Sequence, residues 1–480
     1  MEINTKHKID IIQLVHFSVK EYLLSKYVKE HHDKKIKAFS LSQELCHSMI
    51  AQTCLAYLLE VGAPKSGNHS HFPLMNYAAK HWIFHVQSSN DDKSQESSIL
   101  QLMIKLLTPD NPAFVNWVEY YDPWNASDHL PPLYYTCKAG LIKGTLGLLK
   151  NGADVNTLVG GKYGFVLQLA ICQGHKAIAK LLIENGADVN AQGGEYGNAL
   201  HAALLGGHEA IAKLLIENGA DANAQGRHYE NALLAALFLG YETLAKLLIE
   251  NGADVNAQGG HHGNALLTAI FLGYESLAKF LIQNGADVNT QERHYGNALQ
   301  AASYKGQEAI VKFLMENGAD VNAQGGLYAN ALQAAIVGGH EAIAKFLIEN
   351  GAFVNAQGGP YGNALQAASY KGKEAIVNLL MENAADVNAK GGHYGNALQA
   401  AILEGHEAIA KFLIESEADV NAQGGRYENA LQAALLEGHE AIAKVLIENG
   451  ADANAQAGLL QNTFSLQILT NCRHLHISKT

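Results

Sequence analysis

Twenty-three histidines and five cysteines are the first residues in this chain whose types could do chemistry. Cys46, Cys54, Cys137, Cys172 and Cys472 show no paired metal-binding spacing, and their odd number suits a reducing compartment. The histidines fall in columns. His228, His261 and His294 recur every 33 residues. Zinc needs ligand atoms about 2 Å from one ion, whereas packed elements lie roughly 10 Å apart. Such a column cannot share an ion. A second set, His208-Glu209, His340-Glu341, His406-Glu407 and His439-Glu440, has the residue types of an acid–base pair. Catalysis needs one asymmetric pocket, so a pair repeated along the chain is structural. No metal, cofactor or catalytic residue is expected, and the chain is expected not to be an enzyme.

The elements that carry these columns repeat. Asn-Gly-Ala-Asp begins at Asn151, Asn185, Asn218, Asn251, Asn284, Asn317 and Asn449, with variants at Asn350, Asn383 and Ser416. The first interval is 34 residues and the other eight are 33, so ten units share one plan. In the unit at 194–225, Asn198 is placed to cap a short helix that Gly206-Gly207 ends. A second helix is predicted from about Glu209 to Asn218, with Ile211, Leu214 and Leu215 on one face and Glu209 spaced to pair with Lys213. Gly219 follows as a left-handed cap. A helical pair this short closes no core alone, so the units must stack.

Composition divides the chain in two. Of 46 glycines, 44 lie from residue 131 onward; seven of the eight prolines lie at or before Pro132, and all three tryptophans (Trp82, Trp117, Trp124) precede it. Hydrophobic residues at 48% and charged residues at 17% exclude a disordered chain. The net charge of −12 argues against nucleic acid and against a polybasic membrane anchor. No apolar run approaches the ~20 residues of a membrane span, and the charged start (Glu2, Lys6, Lys8, Asp10) lacks the pattern of a signal peptide. A cytoplasmic monomer is expected. Its parts are a helical region over 1–130, a repeat array over 131–456 and a degenerate cap or tail over 457–480.

The repeated pattern runs Asn-Ala-Leu-Gln/His, two small residues, Gly-His, Leu-Leu/Ile, then Gly-Ala-Asp-Val-Asn-Ala. It resembles the ankyrin repeat. The resemblance covers about residues 131–456 and implies an all-α solenoid of about ten helix-turn-helix units, preceded by an irregular helical region. The usual Thr-Pro-Leu-His becomes Asn-Ala-Leu-Gln in most units, as at Asn297–Gln300 and Asn396–Gln399, and the usual Asp-x-x-Gly hairpin becomes Gly-Gly-x-Tyr-Gly. In residues 1–130, Ser40-x-x-Gln43 reads as a capping box for a helix over about 41–60. Gln87–Ser98 reads as a loop and Ile99–Leu107 as an amphipathic helix. Leu14–Leu24 resembles the end of the winged-helix segment of fungal NACHT–ankyrin proteins, which are NLR-like recognition ATPases. Phe72-Pro73-Leu74, Tyr77-Ala78-Ala79, Trp82 and Tyr121-Asp122-Pro123 resemble their helical connector. No Gly-x-x-x-x-Gly-Lys-Ser/Thr loop occurs, so the resemblance is to the sensor half of such a protein.

Aligned units expose two further columns. The ends of the first helices read Lys138, Cys172, Leu205, Phe238, Phe271, Tyr304, Val337, Tyr370, Leu403 and Leu436, and the next position adds Leu239, Leu272, Lys305, Lys371, Glu404 and Glu437. In the family this position faces the concave side. From Leu205 to Leu436 the column is apolar or aromatic, the character of a partner surface, with packing against the neighbouring helix as the alternative. The candidate partner-binding residues are therefore Leu205, Phe238, Leu239, Phe271, Leu272, Tyr304, Lys305, Val337, Tyr370, Lys371, Leu403 and Leu436. The other column, from Tyr163 and Tyr196 to Tyr394 and Tyr427, reads first as stacking between fingers. The expected function is a non-enzymatic scaffold that binds a protein or peptide, as the sensor region of an NLR-like system. Alternatively, 1–130 docks on a separate NACHT ATPase and the repeats gate it. Ala384 and Glu417 stand where left-handed glycine is expected, Phe353 replaces an Asp, and Asn378 replaces an ion-pair Lys. Unfolding is therefore expected to begin around 375–420.

Overall fold

Asparagine sets where the helices of the repeats begin. In the computed structural model the side chain of Asn198 accepts a hydrogen bond from His201 N at 3.0 Å. Asn231, Asn264, Asn297, Asn330, Asn363, Asn396 and Asn429 make the same cap, each worth about 1 kcal/mol. The structure describes residues 2–4, 11–13, 30, 33, 43–61, 74–89, 98–109, 111–125 and 130–452. Leu14–Leu24, Ser40, Phe72, Pro73 and the tail over 457–480 lie outside the described residues.

The described residues form two compact units, 1–228 and 229–480. The first begins with β1 (Glu2–Asn4) paired antiparallel to β2 (Ile11–Gln13). Four helices follow: α1 (Gln43–Val61), α2 (Met75–Ser88), α3 (Ser98–Leu106) and α4 (Pro112–Tyr121). Three helical pairs complete it: α5 (Pro132–Ala139) with α6 (Ile142–Lys150), α7 (Val166–Cys172) with α8 (Lys176–Glu184), and α9 (Ala199–Leu205) with α10 (Glu209–Glu217). A short hairpin, β3 (Leu158–Gly160) with β4 (Gly164–Phe165), precedes α7. Its core is aromatic. Trp82 and Trp117 are fully buried, meet edge-on at 5.6 Å, and Trp117 lies 5.2 Å from Tyr135 of α5. The Trp117 indole N–H donates to Ala79 O at 2.9 Å, so its polar atom is buried with a partner.

The second unit stacks seven helical pairs. These are α11 (Ala232–Phe238) and α12 (Glu242–Glu250), α13 (Ala265–Leu272) and α14 (Glu275–Gln283), α15 (Ala298–Lys305) and α16 (Glu308–Glu316), α17 (Ala331–Gly338) and α18 (Glu341–Glu349), α19 (Ala364–Tyr370) and α20 (Glu374–Glu382), α21 (Ala397–Leu403) and α22 (Glu407–Glu415), α23 (Ala430–Leu436) and α24 (Glu440–Glu448). This is the expected all-α solenoid of helix-turn-helix repeats. Buried alanines such as Ala334 and Ala335 let the first helices approach closely, and Ile343, Ala344 and Leu347 fill the space against the second.

Polar side chains then tie one repeat to the next. Asn289 Nδ2 donates to Gly318 O at 3.0 Å while its Oδ1 accepts from Asp320 N at 2.9 Å. Asn322, Asn355, Asn388 and Asn421 do the same for the following loops. Because the acceptor contact is to backbone N–H, Phe353 keeps it (2.8 Å) although the Asp side chain is lost. Glutamine carries the other link. Gln366 accepts from Asn363 N at 3.1 Å and donates to Ala389 O and Gly395 O at 3.0 and 3.2 Å, reaching into the next finger.

The Gly-Gly-x-Tyr-Gly fingers are tight turns closed by one backbone bond, as at Gly358 N to Gly362 O (2.7 Å). Gly392 has φ +62°, and a Cβ there would lie 2.5 Å from Gly362 N, so glycine permits fingers to stack backbone on backbone. His393 N donates to Pro360 O at 3.0 Å across that stack.

Local expectations hold in most places and fail in one. The helices at 43–61 and 98–106 stand close to the expected 41–60 and 99–107; the loop expected over 87–98 loses its ends, Gln87–Ser88 and Ser98, to helices, and its residues 90–97 lie outside the described residues. Ala384 and Glu417 adopt φ +59° and +68°, the left-handed conformation expected of them. Lys213, however, pairs with Glu217 at 3.8 Å rather than with Glu209. Lys213, Lys246, Lys312, Lys345, Lys411 and Lys444 each have a glutamate four residues to either side, and exposed pairs of this kind differ by only a few tenths of a kcal/mol. Lys312 and Lys411 take the other partner, Glu308 and Glu407, each at 2.5 Å.

Candidate partner-binding surface

The first-helix ends of the second unit are where helix, turn and finger meet, and the two aromatic columns are one layer there. Phe271 lies 3.9 Å from Tyr295 between ring centres. Tyr304 stacks on Tyr328 at 4.5 Å and 18°, and Tyr370 on Tyr394 at 4.4 Å and 20°. In each case the helix-end ring meets the finger ring 24 residues later, in the next repeat. His262 stacks on Phe271 at 4.8 Å, and Phe238 touches Tyr229 and His261. Sequence columns show which positions are equivalent; they do not show that two columns touch. The signal was the 24-residue spacing between paired rings.

The layer is neither fully exposed nor sealed. Phe238, Leu272 and Leu436 are 41%, 38% and 45% exposed. Leu239, Phe271, Tyr304, Val337, Tyr370 and Leu403 are half-buried. Lys305 holds its ammonium 5.0 Å from the Phe271 ring centre, and Lys371 lies 5.4 Å from Tyr370 and 5.8 Å from Tyr361. Leu205, half-buried at the end of α9, belongs to the first unit. Tyr304 and Tyr370 are thus partly used by packing, while Phe238, Leu272 and Leu436 present open apolar area.

The titratable rings of this layer are biased toward their neutral forms. Hydrogen bonding to Tyr394 and Glu404 pushes the Tyr370 phenol above its usual value. Burial, followed by the Tyr304 hydroxyl, does the same for Tyr328. Burial lowers the pKa of His262, helped by His261 and Lys305. Tyr427 donates to Glu437 at the later end of the layer.

Other histidines are used structurally. His175, His340 and His406 reach back to Lys138 O, Tyr304 O and Tyr370 O at 3.3, 3.0 and 3.1 Å, tying a repeat to the helix end before it. In the first unit His85 contacts His47 (Nδ1 to Nδ1, 2.7 Å) and the Tyr77 hydroxyl (2.9 Å), with the His81 ring tilted against Tyr77 at 4.7 Å. Burial, then His47 and His81, holds His85 below the ordinary histidine value. Among the described residues no group of three or more His, Cys, Asp or Glu is arranged to hold a metal. Cys54, Cys137 and Cys172 are pushed up to about 11, 12 and 11 by burial, so the thiolate is disfavoured. No described helix is long and apolar enough to cross a membrane.

Comparison with known proteins addresses the repeats. A family model described as "Ankyrin repeats (3 copies)" matches overlapping segments at 133–226, 167–259, 200–292, 232–325, 298–391 and 367–457. The "Azaphilone pigments biosynthesis cluster protein L" of Monascus ruber is 32% identical over 202 residues, 37% of this chain and 41% of that protein. The chain therefore spans well under half the length of that curated relative. The crystal structure of the ankyrin repeat domain of Bcl-3, titled a unique member of the IkappaB protein family, aligns at 22% identity with a TM-score of 0.39. It covers 45% of this chain and 97% of that domain.

Proposed function

This chain belongs to the ankyrin-repeat family, and from that premise we propose that it is a non-enzymatic scaffold, monomeric and cytoplasmic, that holds a protein or peptide along the aromatic layer of its second unit. The observation that supports this is a row of rings fixed by finger contacts yet still open on one side. Rings already ordered lose little freedom on binding, and aromatic side chains are preferred anchors at interfaces. Lys305 and Lys371 flank the middle of the row and Glu404 and Glu437 its later part, so a partner with acidic residues followed by basic ones is favoured.

The test exploits exposure. Phe238→Ser, Leu272→Ser and Leu436→Ser in one chain remove open apolar area with little core disruption. Capture of the cellular partner should fall by about tenfold or more, equivalent to about 1.4 kcal/mol. Undiminished capture by the folded triple variant refutes the proposal.

A second use concerns the residues before 131. Leu45, Met49, Phe84 and Trp124 are 58%, 61%, 55% and 91% exposed, which supports docking of this helical region on a NACHT ATPase, with the repeats as sensor or gate in an NLR-like system. In functional terms 1–130, 131–456 and 457–480 are then docking region, array and cap. Binding of such an ATPase to a fragment of residues 1–228 but not to 229–480 tests it; binding only to 229–480 removes it.

A further inference from the structure

The second helices of the repeats carry their own cation–ring ladder, on a side chain column distinct from the aromatic layer. Lys246 lies 5.9 Å from the ring centre of Phe280, Lys279 lies 6.0 Å from Phe313, and Lys312 lies 5.7 Å from Phe346. Each lysine serves the phenylalanine 34 residues later, in the next repeat. Phe412 is the fourth phenylalanine of this column, and the residue 34 before it is Asn378. Among the described residues no cation lies over Phe412.

The same substitution leaves a carboxylate without its neighbour. Glu308 pairs with Lys312 and Glu407 with Lys411, both four residues apart. Glu374 has Asn378 at that spacing, and among the described residues it makes no ion pair. Between α20 and α22 the shorter side chain opens a cleft of about 180 Å³ lined by Glu374, Val377, Asn378, Ala408, Ile409 and Phe412. Val377 and Ile409 are its buried floor, Phe412 is half-buried, and Glu374, Asn378 and Ala408 are exposed. An anion, a ring face and an open volume thus coincide where the neighbouring repeats place an ammonium.

We propose that this cleft is a docking site for the lysine or arginine side chain of a protein partner, with the alkyl stem on Val377 and Ile409 and the cation between Glu374 and the Phe412 ring. The partner's side chain takes the place that Lys312 occupies over Phe346. Charge complementarity sets the ligand class: a carboxylate and the negative face of an aromatic ring both select a cation and disfavour an acidic or neutral polar side chain.

The test uses the full chain, isotope-labelled at valine and isoleucine methyls, titrated with acetyl-Gly-Lys-Gly-amide. Saturable shifts of the Val377 and Ile409 methyls are expected, and the same peptide with an acetylated lysine, which lacks the charge, should leave them in place. Asn378→Lys restores the chain's own cation and should abolish the response, while Glu374→Gln and Phe412→Leu should each weaken it about two- to fivefold. The methyl spectrum shows whether each variant is folded, and Glu374→Gln carries the test if Asn378→Lys is not. Equal shifts with the acetylated peptide, or a full response in folded Asn378→Lys or Glu374→Gln, would overturn the proposal.

Discussion

Two clusters of aromatic side chains in this chain serve opposite ends. In the first unit Trp82, Trp117 and Tyr135 are sealed, and the Trp117 N–H is satisfied inside by Ala79 O. In the second, Phe238, Phe271, Tyr304 and Tyr370 are held from one side by finger rings and left open on the other. A closed cluster contributes to folding through removed surface. A half-open one retains area that only a further molecule can bury. The difference lies in the partner each ring finds: helices in the first case, a thin glycine-rich finger in the second.

The largest expected effect breaks the closed cluster. Trp117→Ala should destabilise the first unit by about 3–5 kcal/mol, whereas Phe238→Ala should cost the second less than about 1.5 kcal/mol because much of its ring is already in water. Denaturant unfolding of each variant checks this. Similar costs would erase the distinction between the clusters.

A smaller effect concerns the frame that holds the open cluster. Ala384→Gly and Glu417→Gly should each stabilise by up to about 1 kcal/mol, the left-handed strain relieved less the extra freedom of glycine in the unfolded chain. In the parent, hydrogen exchange should start within 375–420. If that stretch proves the best protected part of 229–452, the weakness lies elsewhere.

The smallest effect is electrostatic. The Tyr370 phenol is held above its ordinary value of 10.0 by Tyr394 and Glu404. A raised phenol contributes fully below the unfolded pKa and loses that contribution as pH climbs toward the folded one. Stability of the second unit should therefore fall above about pH 10, and Tyr370→Phe should lessen the fall. Unfolding midpoints on either side of that pH give the comparison; an unchanged slope in Tyr370→Phe contradicts the bonding described.

Much of the repeat is legible in sequence because its determinants are local. Asn198 and its equivalents mark helix starts, and Gly219 or Ala384 marks a left-handed stop; each acts within a few residues of itself. The candidate surface was legible only as a column. That Phe271 meets Tyr295, that Lys312 covers Phe346 and that Gln366 reaches Gly395 depends on the stagger between stacked repeats, which the 33-residue period leaves open. The choice of Lys213 for Glu217 is a balance of exposed pairs too close in energy to read. The aromatic seal between α4 and α5 joins two regions of unlike composition, and composition carries no information on packing.

The central claim is that the half-open layer, and not the exposed residues of the early helices, receives the protein partner. A photo-reactive phenylalanine analogue placed at Phe238 in one chain and at Phe84 in another tests it directly in the source cells. Adducts to a common protein at position 238, lost when Leu272 and Leu436 are changed to serine, are predicted. Adducts at position 84 with none at 238 would contradict it.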